Sequence, residues 1–455
     1  MSVFAVRSPD LVPLRNLALG LLAVFAASAL LAPALFWQLL AAAAGGALLF
    51  LTWRQLVLAT ALWLAIAGLT LEMALLDLIG PGAFAPTIAL VKAAGLLLAF
   101  MAVLRYGPRL DAFNPALAWC VIFVAGLAHG LWPDLSSGES LRSLVGSAAP
   151  FAFGFSRLSP GWTRAIIRTT RWTPLLGLTA GAALAATGLH PLFINSGGWR
   201  LAGLGHPAFL AGICLSAAYA GLIEFYRSGR RGELVLLAVN FGLLLLTGAR
   251  APLASAVAVT GLTLAFVRSP AVSAHQRRML LLAGALAGTV GAVLAFGLLP
   301  VDTSAVRTFN IVATDWDNLS GRQILWPNFQ AAAAESPWFG WGVGAGNVII
   351  PPYGEIARLL HTWAAHNEYL RVAVEGGQFG RAVLIGCMVL WVRGHSARLP
   401  AHERQIMRLV FLALAVHAAT DNVLISTPAC VLFAFATAVF ARGRLEAENA
   451  AAEPA

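Results

Sequence analysis

The sequence predicts an all-α polytopic membrane protein, and three observations support that class. Hydrophobic residues make up 59% of the 455 residues and charged residues only 11%, whereas an ordinary globular domain is about 25% charged. The mean hydropathy is +0.79. The apolar residues are gathered into runs separated by short loops that carry arginine, as consecutive transmembrane helices require.

Apolar runs follow one another along most of the chain. They lie at roughly 16–30, 35–53, 55–76, 84–104, 115–131, 145–158, 173–190, 207–226, 233–247, 251–267, 279–299, 369–391, 406–420 and 426–441. Several are shorter than the roughly 20 residues that a span needs, so we expect 12 to 14 transmembrane helices, some of them broken or re-entrant. Residues 1–299 are predicted as an N-terminal bundle, 366–441 as C-terminal helices and 442–455 as a disordered cytoplasmic tail.

The basic residues are distributed as in a membrane protein, so the net charge of +10 does not indicate a nucleic-acid partner. If the N-terminus is cytoplasmic and the runs alternate, 21 arginines fall on the inner side and 6 on the outer side. The outer arginines are Arg142, Arg200, Arg250, Arg307, Arg322 and Arg358. Because arginine is enriched in cytoplasmic loops, we predict that both termini are cytoplasmic.

Residues 300–365 form the one large hydrophilic region, which this topology places on the outer side. Helices are expected around 322–335, after Ser320, and around 354–363, with a turn region rich in Gly and Trp at 336–347. The region is too long for a simple connector. We expect a lid over a cavity that faces the membrane. The alternative is a structured loop that rests on the membrane interface through its tryptophans.

The segment 366–380, HNEYLRVAVEGGQFG, begins where the hydrophilic region gives way to an apolar run. On a helix, Gly377 and Gly380 would lie on the same face as His366 and allow close packing. The partial positive charge of a helix N-terminus favours a neutral imidazole, so His366 is a candidate general base. Asn367, His361 and Tyr369 are candidate supporting residues. The alternative role of His366 is an anchor at the membrane interface.

Three outer arginines are candidate ligands of a phosphate-bearing substrate. Arg250 lies at a hairpin tip in LLTGARAPLA, Arg322 at a helix start in LSGRQILW, and Arg200 in the glycine-rich GGWRLAGLGHPAFLA, where His206-Pro207 opens the next span. The planar guanidinium makes paired, charge-assisted hydrogen bonds to phosphate. The alternative for each is an arginine that extends to the interface.

Other polar residues in this part of the chain suggest supporting roles. Arg371 and Glu375 are four residues apart and are expected to form an ion pair, while Arg381 is expected to meet a polar partner or a cavity. Asp421-Asn422 is interpreted as the cap of an outer turn. Because the sequence contains no His/Cys cluster, we predict neither a metal nor a cofactor.

These segments together resemble a known family. The pattern of His366, Asn367, Gly377 and Gly380 is similar to the signature of the bacterial O-antigen ligases, and the three arginine segments precede it in the expected order. The resemblance covers roughly residues 195–440; the first 190 residues match in hydropathy alone. It implies a helical bundle similar to GT-C glycosyltransferases in the bacterial inner membrane, with an active site facing the periplasm. The implied substrates are an undecaprenyl-diphosphate-linked O-antigen and the lipid A-core oligosaccharide.

The predicted chemistry is a single displacement with inversion at the anomeric carbon, since the sequence contains no paired carboxylates of the glycosidase type. His366 would act as base, and arginines would stabilise the leaving diphosphate. An O-antigen polymerase or a protein O-oligosaccharyltransferase of the same superfamily would share the donor site. A flippase for lipid-linked sugars is less consistent with the sequence, because the polar candidates cluster at the outer side rather than along a path through the bilayer.

Overall fold

The computed structural model describes residues 45–80, 84–196, 198–295, 306–309, 322–351, 354–360 and 362–452. The chain divides into two compact units, residues 1–59 and 60–455. The described helices, in chain order, are α1 (Gly45–Arg54), α2 (Leu56–Leu69), α3 (Leu71–Ile79), α4 (Phe84–Tyr106), α5 (Pro115–His129), α6 (Ser137–Ala148), α7 (Pro160–Ala186), α8 (Pro207–Ser228), α9 (Arg231–Leu246), α10 (Arg250–Phe266), α11 (Ala274–Ala295), α12 (Arg322–Glu335), α13 (Glu355–Leu360), α14 (Glu368–Ser396), α15 (Ala401–His417) and α16 (Thr427–Ala452). The strands β1 (Phe193–Asn195) and β2 (Trp199–Leu201) form an antiparallel hairpin.

The predicted fold class is confirmed: the chain is an all-α polytopic membrane protein. Among the described residues, α4, α8, α11, α14 and α16 are long and apolar enough to cross a membrane, and α1 with α2 would make a sixth span if they are counted together. The other described helices are shorter or less apolar, so the count of 12 to 14 spans stays a prediction. The most buried spans are α8 and α16, and they form the centre of the core.

The predicted run 55–76 is interrupted in the structure. Thr70 lies between α2 and α3 with φ of 51°, a left-handed conformation that a β-branched residue rarely adopts. Gly205, the residue before the N-cap of α8, packs directly on Thr70, and an added Cβ there would lie 2.0 Å from the hydroxyl oxygen. The break in the apolar run therefore accommodates the turn that leads into α8.

Helix α7 begins well before the apolar run that predicted it. The run was read from residue 173, whereas the helix begins at Pro160, with Ser159 as its N-cap accepting a hydrogen bond from the Trp162 amide at 3.3 Å. Proline at the first helical position and serine before it are typical of a helix start. Hydropathy alone missed this start because the first turns carry arginines, among them Arg171, which forms an ion pair with Glu233 of α9.

The prediction of a disordered tail from residue 442 is wrong for the described residues, because α16 continues to Ala452. Ion pairs hold this part of the helix in place. Arg442 contacts Glu224 and Glu403, and Glu446 contacts Arg227. The composition of the tail did not reveal these pairs because their partners lie on α8 and α15, far away in the sequence.

Helix α14 is broken at Gly377, which has φ of 59° and ψ of −157°. The Gly- and Trp-rich segment 336–342 fills the break. Its amides at Trp341 and Gly342 donate to the carbonyls of Val374 and Glu375 at 2.8 and 2.9 Å, and its carbonyls at Pro337 and Trp338 accept from Gln378 and Phe379 at 2.8 and 3.0 Å. The backbone groups that the break frees are thereby satisfied, as burial requires.

Candidate active site

His366 lies immediately before α14, at the junction of the hydrophilic region and the apolar helix. Its φ is 47°, and Asn367 follows it as the N-cap, accepting a hydrogen bond from the Leu370 amide at 3.0 Å. The left-handed conformation turns the His366 side chain away from the helix axis and towards the turn that joins α15 to α16. Backbone strain of this kind is often found at functional sites.

Two side chains contact the His366 ring. Its Nδ1 lies 3.3 Å from Oδ1 of Asp421, and its Nε2 lies 3.0 Å from the hydroxyl of Thr362. A carboxylate can only accept, so Nδ1 carries the proton and Nε2 presents a lone pair. The imidazole is thus oriented by Asp421, and its basic Nε2 faces the Thr362 hydroxyl. The side chain of His366 is 36% exposed, which keeps that nitrogen accessible.

Asp421 was interpreted as a turn cap, and the structure gives it a second contact. Its Oδ1 accepts the Asn422 amide at 2.8 Å, as a cap would, and also faces His366. Burial by itself would raise the pKa of Asp421, but the hydrogen bond and charge of His366 lower it below its ordinary value. The group facing the imidazole is therefore an ionised carboxylate at neutral pH.

The two signature glycines do not share a face with His366, and that prediction is wrong. His366 lies outside the helix and Gly377 breaks it, so the 3.6-residue period does not connect them. Gly377 faces the backbone of Trp338, whereas Gly380 packs against Ile122 of α5. Both glycines do allow close packing: Gly377 against the segment 336–342, and Gly380 against α5. His361 lies outside the described residues.

A second group of side chains lies around the β1–β2 hairpin. Arg200 is 9% exposed, and its Nε donates to the Thr247 carbonyl at 2.8 Å. Gly248, with φ of 67°, packs between two arginines: an added Cβ would lie 3.1 Å from Cβ of Arg307 and 3.3 Å from Cγ of Arg200. The turn between α9 and α10 therefore packs between the aliphatic stems of these two arginines.

Arg307 was not selected from the sequence as a site residue. Its guanidinium donates to the Ser196 carbonyl, and Val306 pairs with Trp199 of β2. Burial and the positive charge of Arg250 lower the pKa of Arg307. Arg250, at the start of α10, is thus close enough to Arg307 to act on its charge. Arg307 does not lie in a recognisable motif. The sequence indicated it only as one of the six arginines on the outer side.

Arg322 approaches His366 from the other side. It begins α12, and its Nη2 donates to the Thr420 carbonyl at 2.8 Å, next to Asp421. Burial lowers the pKa of Arg322, and the charge of Asp421 opposes that shift. Arg322 and His366 are therefore attached to the same short turn after α15.

His206 connects the two groups. As the N-cap of α8 it accepts the Ala208 amide on Nδ1 at 3.2 Å, which requires a neutral ring with the proton on Nε2. Burial, then the charge of Arg200, and also that of His366, lower the pKa of His206 to about 4, against the opposing charge of Asp421. The charges of Arg200, His366 and Asp421 thus all affect the pKa of His206. We therefore treat these residues as one electrostatic site. The sequence predicted His206 only as a helix start.

The predicted pair of Arg371 and Glu375 is confirmed and extended. Arg371 contacts Glu375 at 2.8 Å and also Glu368, and its guanidinium lies 4.8 Å from the centroid of the Trp119 ring. All three charged side chains are buried. Glu375 carries the carbonyl that accepts from Gly342, so this triad rigidifies α14 just below His366.

An apolar groove of about 580 Å³ lies between α14 and α15. Its upper end is at Glu368, Tyr369 and Ala418, two residues beyond His366, and it extends along the helices to Arg393 and Arg408. Arg381 lines it midway, as expected for a cation that meets a cavity. The Tyr369 hydroxyl donates to the Ala415 carbonyl at 2.8 Å, so Tyr369 shapes the upper end of the groove.

No group of three or more His, Cys, Asp or Glu side chains in the described part of the chain converges as metal ligands would. The absence of a metal from the reaction stays a prediction. What the site offers is an oriented imidazole, an ionised carboxylate and four arginines from four separate segments.

The fold and this site define a class: a multi-pass membrane protein with a histidine–aspartate pair and several arginines at one end of its helices. Residues 234–385 match the family model described as O-antigen ligase. The match contains His366, Gly377, Gly380, Arg250 and Arg322, so this segment of the chain is similar to the O-antigen ligase family to which the sequence pattern pointed. A comparison with curated proteins finds no match.

The family match supports an O-antigen ligase or polymerase type of function, that is, a glycosyltransferase-like activity on lipid-linked polysaccharide. Arg200 and Asp421 lie outside the matched segment. The structure thus adds these two residues to the candidate site residues that lie within the matched segment.

Proposed function

We propose that this protein transfers O-antigen polysaccharide from undecaprenyl diphosphate to the lipid A-core oligosaccharide. The observation that carries the proposal is the His366–Asp421 pair, placed within one electrostatic site with Arg200, Arg250, Arg307 and Arg322. A base beside a cluster of arginines suits the attack of a hydroxyl group on a sugar whose leaving group is a diphosphate.

The arginines would hold the donor. Arg200, Arg250 and Arg307 are gathered around the turn at Gly248, and their mutual repulsion would be relieved by a dianionic diphosphate. The apolar groove between α14 and α15 would receive part of the polyprenyl chain, because it starts beside His366 and follows the helices downwards. Arg322 would stabilise charge on the other side of the site.

The reaction is a single displacement. Nε2 of His366 takes the proton of the acceptor hydroxyl as its oxygen attacks the anomeric carbon. The bond between that carbon and the phosphate oxygen breaks, and undecaprenyl diphosphate leaves with the electron pair, stabilised by the arginines. The new glycosidic bond has inverted configuration. Asp421 stabilises the imidazolium that forms, in the way that a carboxylate supports a catalytic histidine elsewhere.

The proposed location is the inner membrane, with the site on the periplasmic side and both termini in the cytoplasm. The arginine distribution supports this orientation. The region 300–365 would then be a periplasmic segment over the site, and α12 with the segment 336–342 would be its part that contacts α14. The proposed partners are the two lipid-linked saccharides and membrane lipid, without metal or cofactor.

The direct test uses purified protein, a lipid-linked donor and a core acceptor. In the His366→Ala variant, transfer should fall by about 10² to 10⁴ while donor binding is retained, since a general base acts on the chemical step. The matched control is His275→Ala, an exposed histidine at the start of α11. Near-normal transfer by His366→Ala would refute the role of His366 as base, and loss of parent activity in EDTA with recovery in Mg²⁺ would refute a metal-independent reaction.

The family alternative is polymerisation, and the lipopolysaccharide of a deletion strain separates the two activities. Loss of a ligase leaves core without O-antigen and lipid-linked polymer that accumulates. Loss of a polymerase leaves a single repeat unit on the core. The first pattern is the expected one, and the second would replace ligation by polymerisation at the same site.

A further inference from the structure

A second cationic cluster lies at the opposite end of the helices from His366. It consists of Arg109 in the loop between α4 and α5, Arg157 in the loop before α7, Arg398 in the loop between α14 and α15, and Arg444 of α16. These four residues come from four separate segments, and the mechanism proposed above uses none of them.

Backbone pairing brings the first two arginines together. Pro108 and Ser156 form an antiparallel bridge, in which the Arg109 amide donates to the Phe155 carbonyl at 2.8 Å and the Arg157 amide to the Gly107 carbonyl at 3.2 Å. The other two meet through Gly443, where an added Cβ would lie 3.2 Å from the Arg398 carbonyl oxygen. Arg444 is the next residue along α16.

The orientation of Arg109 is held by His395, a partly buried histidine near the end of α14. Its Nη2 donates to Nδ1 of His395 at 2.7 Å, and Nε2 of His395 lies 2.5 Å from Oδ2 of Asp111. Because Nδ1 of His395 accepts a hydrogen bond from Arg109, the ring is neutral and carries its proton on Nε2. This N–H group donates a hydrogen bond to Asp111. The Asp111 carboxylate therefore accepts hydrogen bonds from His395 and from the Phe113 amide, and it forms no ion pair with an arginine of the described residues.

Acidic side chains of the described residues neutralise only part of the positive charge of this cluster. In the described part of the chain, Arg157 and Arg398 form no ion pair, and Arg444 approaches Glu448 only at 3.6 Å, with no hydrogen-bond partner for its buried Nε. Burial and the charges of Arg444 and Arg398 lower the pKa of Arg109 to about 10, against the opposing charge of Asp111. An anion between the arginines would remove this repulsion.

Exposed apolar side chains beside the cluster indicate the source of the anion. Leu110 is 97% exposed and Phe113 is 47% exposed, and both belong to the loop that carries Arg109. An exposed leucine next to an arginine in a membrane protein fits the boundary between headgroups and acyl chains. A free phosphate would leave these side chains in water, whereas a phospholipid would cover them.

We propose that Arg109, Arg157, Arg398 and Arg444 bind the phosphate of an anionic phospholipid, whose acyl region contacts Leu110 and Phe113. The site is independent of sugar transfer and lies on the side that the topology assigns to the cytoplasmic leaflet. Arg109 and Arg444 form its half-buried base, and Arg157 and Arg398 form its exposed rim.

The experiment measures binding of phosphatidylglycerol to the purified full-length protein by native mass spectrometry. The test variant is Arg157→Gln/Arg398→Gln, which changes only exposed side chains. The control is Arg230→Gln/Arg231→Gln, an exposed pair at the start of α9 at the same end of the helices, with the same loss of charge. Each arginine near an anionic lipid contributes about fivefold to affinity, so the test variant should bind about 25-fold more weakly and the control within about twofold of the parent.

Two further probes separate lipid from phosphate. Phosphatidylcholine should bind the parent protein more weakly than phosphatidylglycerol does. The Leu110→Ser substitution should weaken the binding of phosphatidylglycerol and leave any binding of inorganic phosphate unchanged. Equal affinity of the test and control variants for phosphatidylglycerol would overturn the site. Binding of inorganic phosphate as tight as that of phosphatidylglycerol would overturn its assignment to a lipid.

Discussion

At the scale of single residues, the site depends on how His366 is oriented. Its left-handed backbone directs the ring towards Asp421, and the ring nitrogens then have distinct partners at 3.3 and 3.0 Å. A histidine with one nitrogen held by a carboxylate has a defined tautomer, which a free histidine lacks. In the proposed reaction, Asp421 therefore acts through His366 and does not touch the substrate.

The first prediction concerns Asp421 as a positioning residue. Asp421→Asn should lower kcat by about tenfold to a thousandfold with little change in KM, because the amide can direct the wrong ring nitrogen at the substrate. Asp421→Glu should recover part of the rate, and Asp134→Asn, an exposed acid, serves as control. An equal loss of activity in Asn and Glu variants, with lowered thermal stability, would assign Asp421 to structure alone.

The lowered pKa of Asp421 also sets the direction of a pH effect on stability. The ionised carboxylate stabilises the folded state above its unfolded pKa, and this contribution is lost as the pH falls through the lower, folded pKa. Thermal unfolding should therefore show a smaller destabilisation on acidification for Asp421→Asn than for the parent. The same acid sensitivity in both proteins would argue against the contact with His366.

A separate prediction concerns Arg307, which the sequence did not select. Removing a charge-assisted hydrogen bond to phosphate costs about 1.5 to 3 kcal/mol, so Arg307→Gln should raise the donor KM by about tenfold to a hundredfold. Arg142→Gln, an exposed outer arginine on α6, removes the same charge elsewhere and should leave KM unchanged. Matching KM values for the two variants would remove Arg307 from the donor site.

At the scale of elements, the break in α14 explains two glycine-rich segments at once. Gly377 and Gly340 both have positive φ, and an added Cβ at either would lie about 2.4 to 2.5 Å from the backbone of the opposing segment. The turn 336–342 and the helix therefore fit only through glycine. Since Glu375 beside the break belongs to the buried triad with Arg371, this junction supports the start of α14, where His366 lies.

The corresponding prediction compares two glycines of the same helix. Gly377→Ala should destabilise the protein by about 2 kcal/mol or more, because it combines strain at positive φ with a backbone clash. Gly386→Ala, where an added Cβ meets nothing within 4 Å, should be neutral or stabilise by up to about 1 kcal/mol. Thermal unfolding in detergent measures both. Similar melting temperatures would mean that 336–342 does not occupy the break.

At the scale of the whole molecule, cationic side chains gather at both ends of the helices. At the end opposite His366, Arg227 and Arg442 form ion pairs with Glu403, Glu446 and Glu224. These pairs tie α8, α15 and α16 together, whereas the four arginines of the proposed lipid site lie at the same end and are not part of them.

The proposed orientation in the membrane rests on the arginine distribution, and reporter fusions test it. Alkaline phosphatase fused after residue 345 should be active, since it folds only outside the cytoplasm, and a fusion after residue 452 should be inactive. The reverse result would place His366 in the cytoplasm and remove the proposed substrates.

The sequence by itself determined the membrane class, the positions of most helices and the residues of the family signature. These depend on apolar runs, caps and spacings that are local in the chain. It also identified Arg200, Arg250, Arg322 and His366 as candidates, because each lies in a short recognisable segment. Where local pattern failed, at the start of α7 and the end of α16, the deciding contacts were ion pairs between distant helices.

Only the tertiary structure decided how these residues act together. The contact of His366 with Asp421 joins positions 55 residues apart, and Gly248 brings Arg200 to Arg307 across more than a hundred. The role of Gly377 likewise became visible only when segment 336–342 was seen within the broken helix. The physical reason is that side-chain chemistry and backbone satisfaction depend on neighbours in space, and a single sequence records neighbours only along the chain.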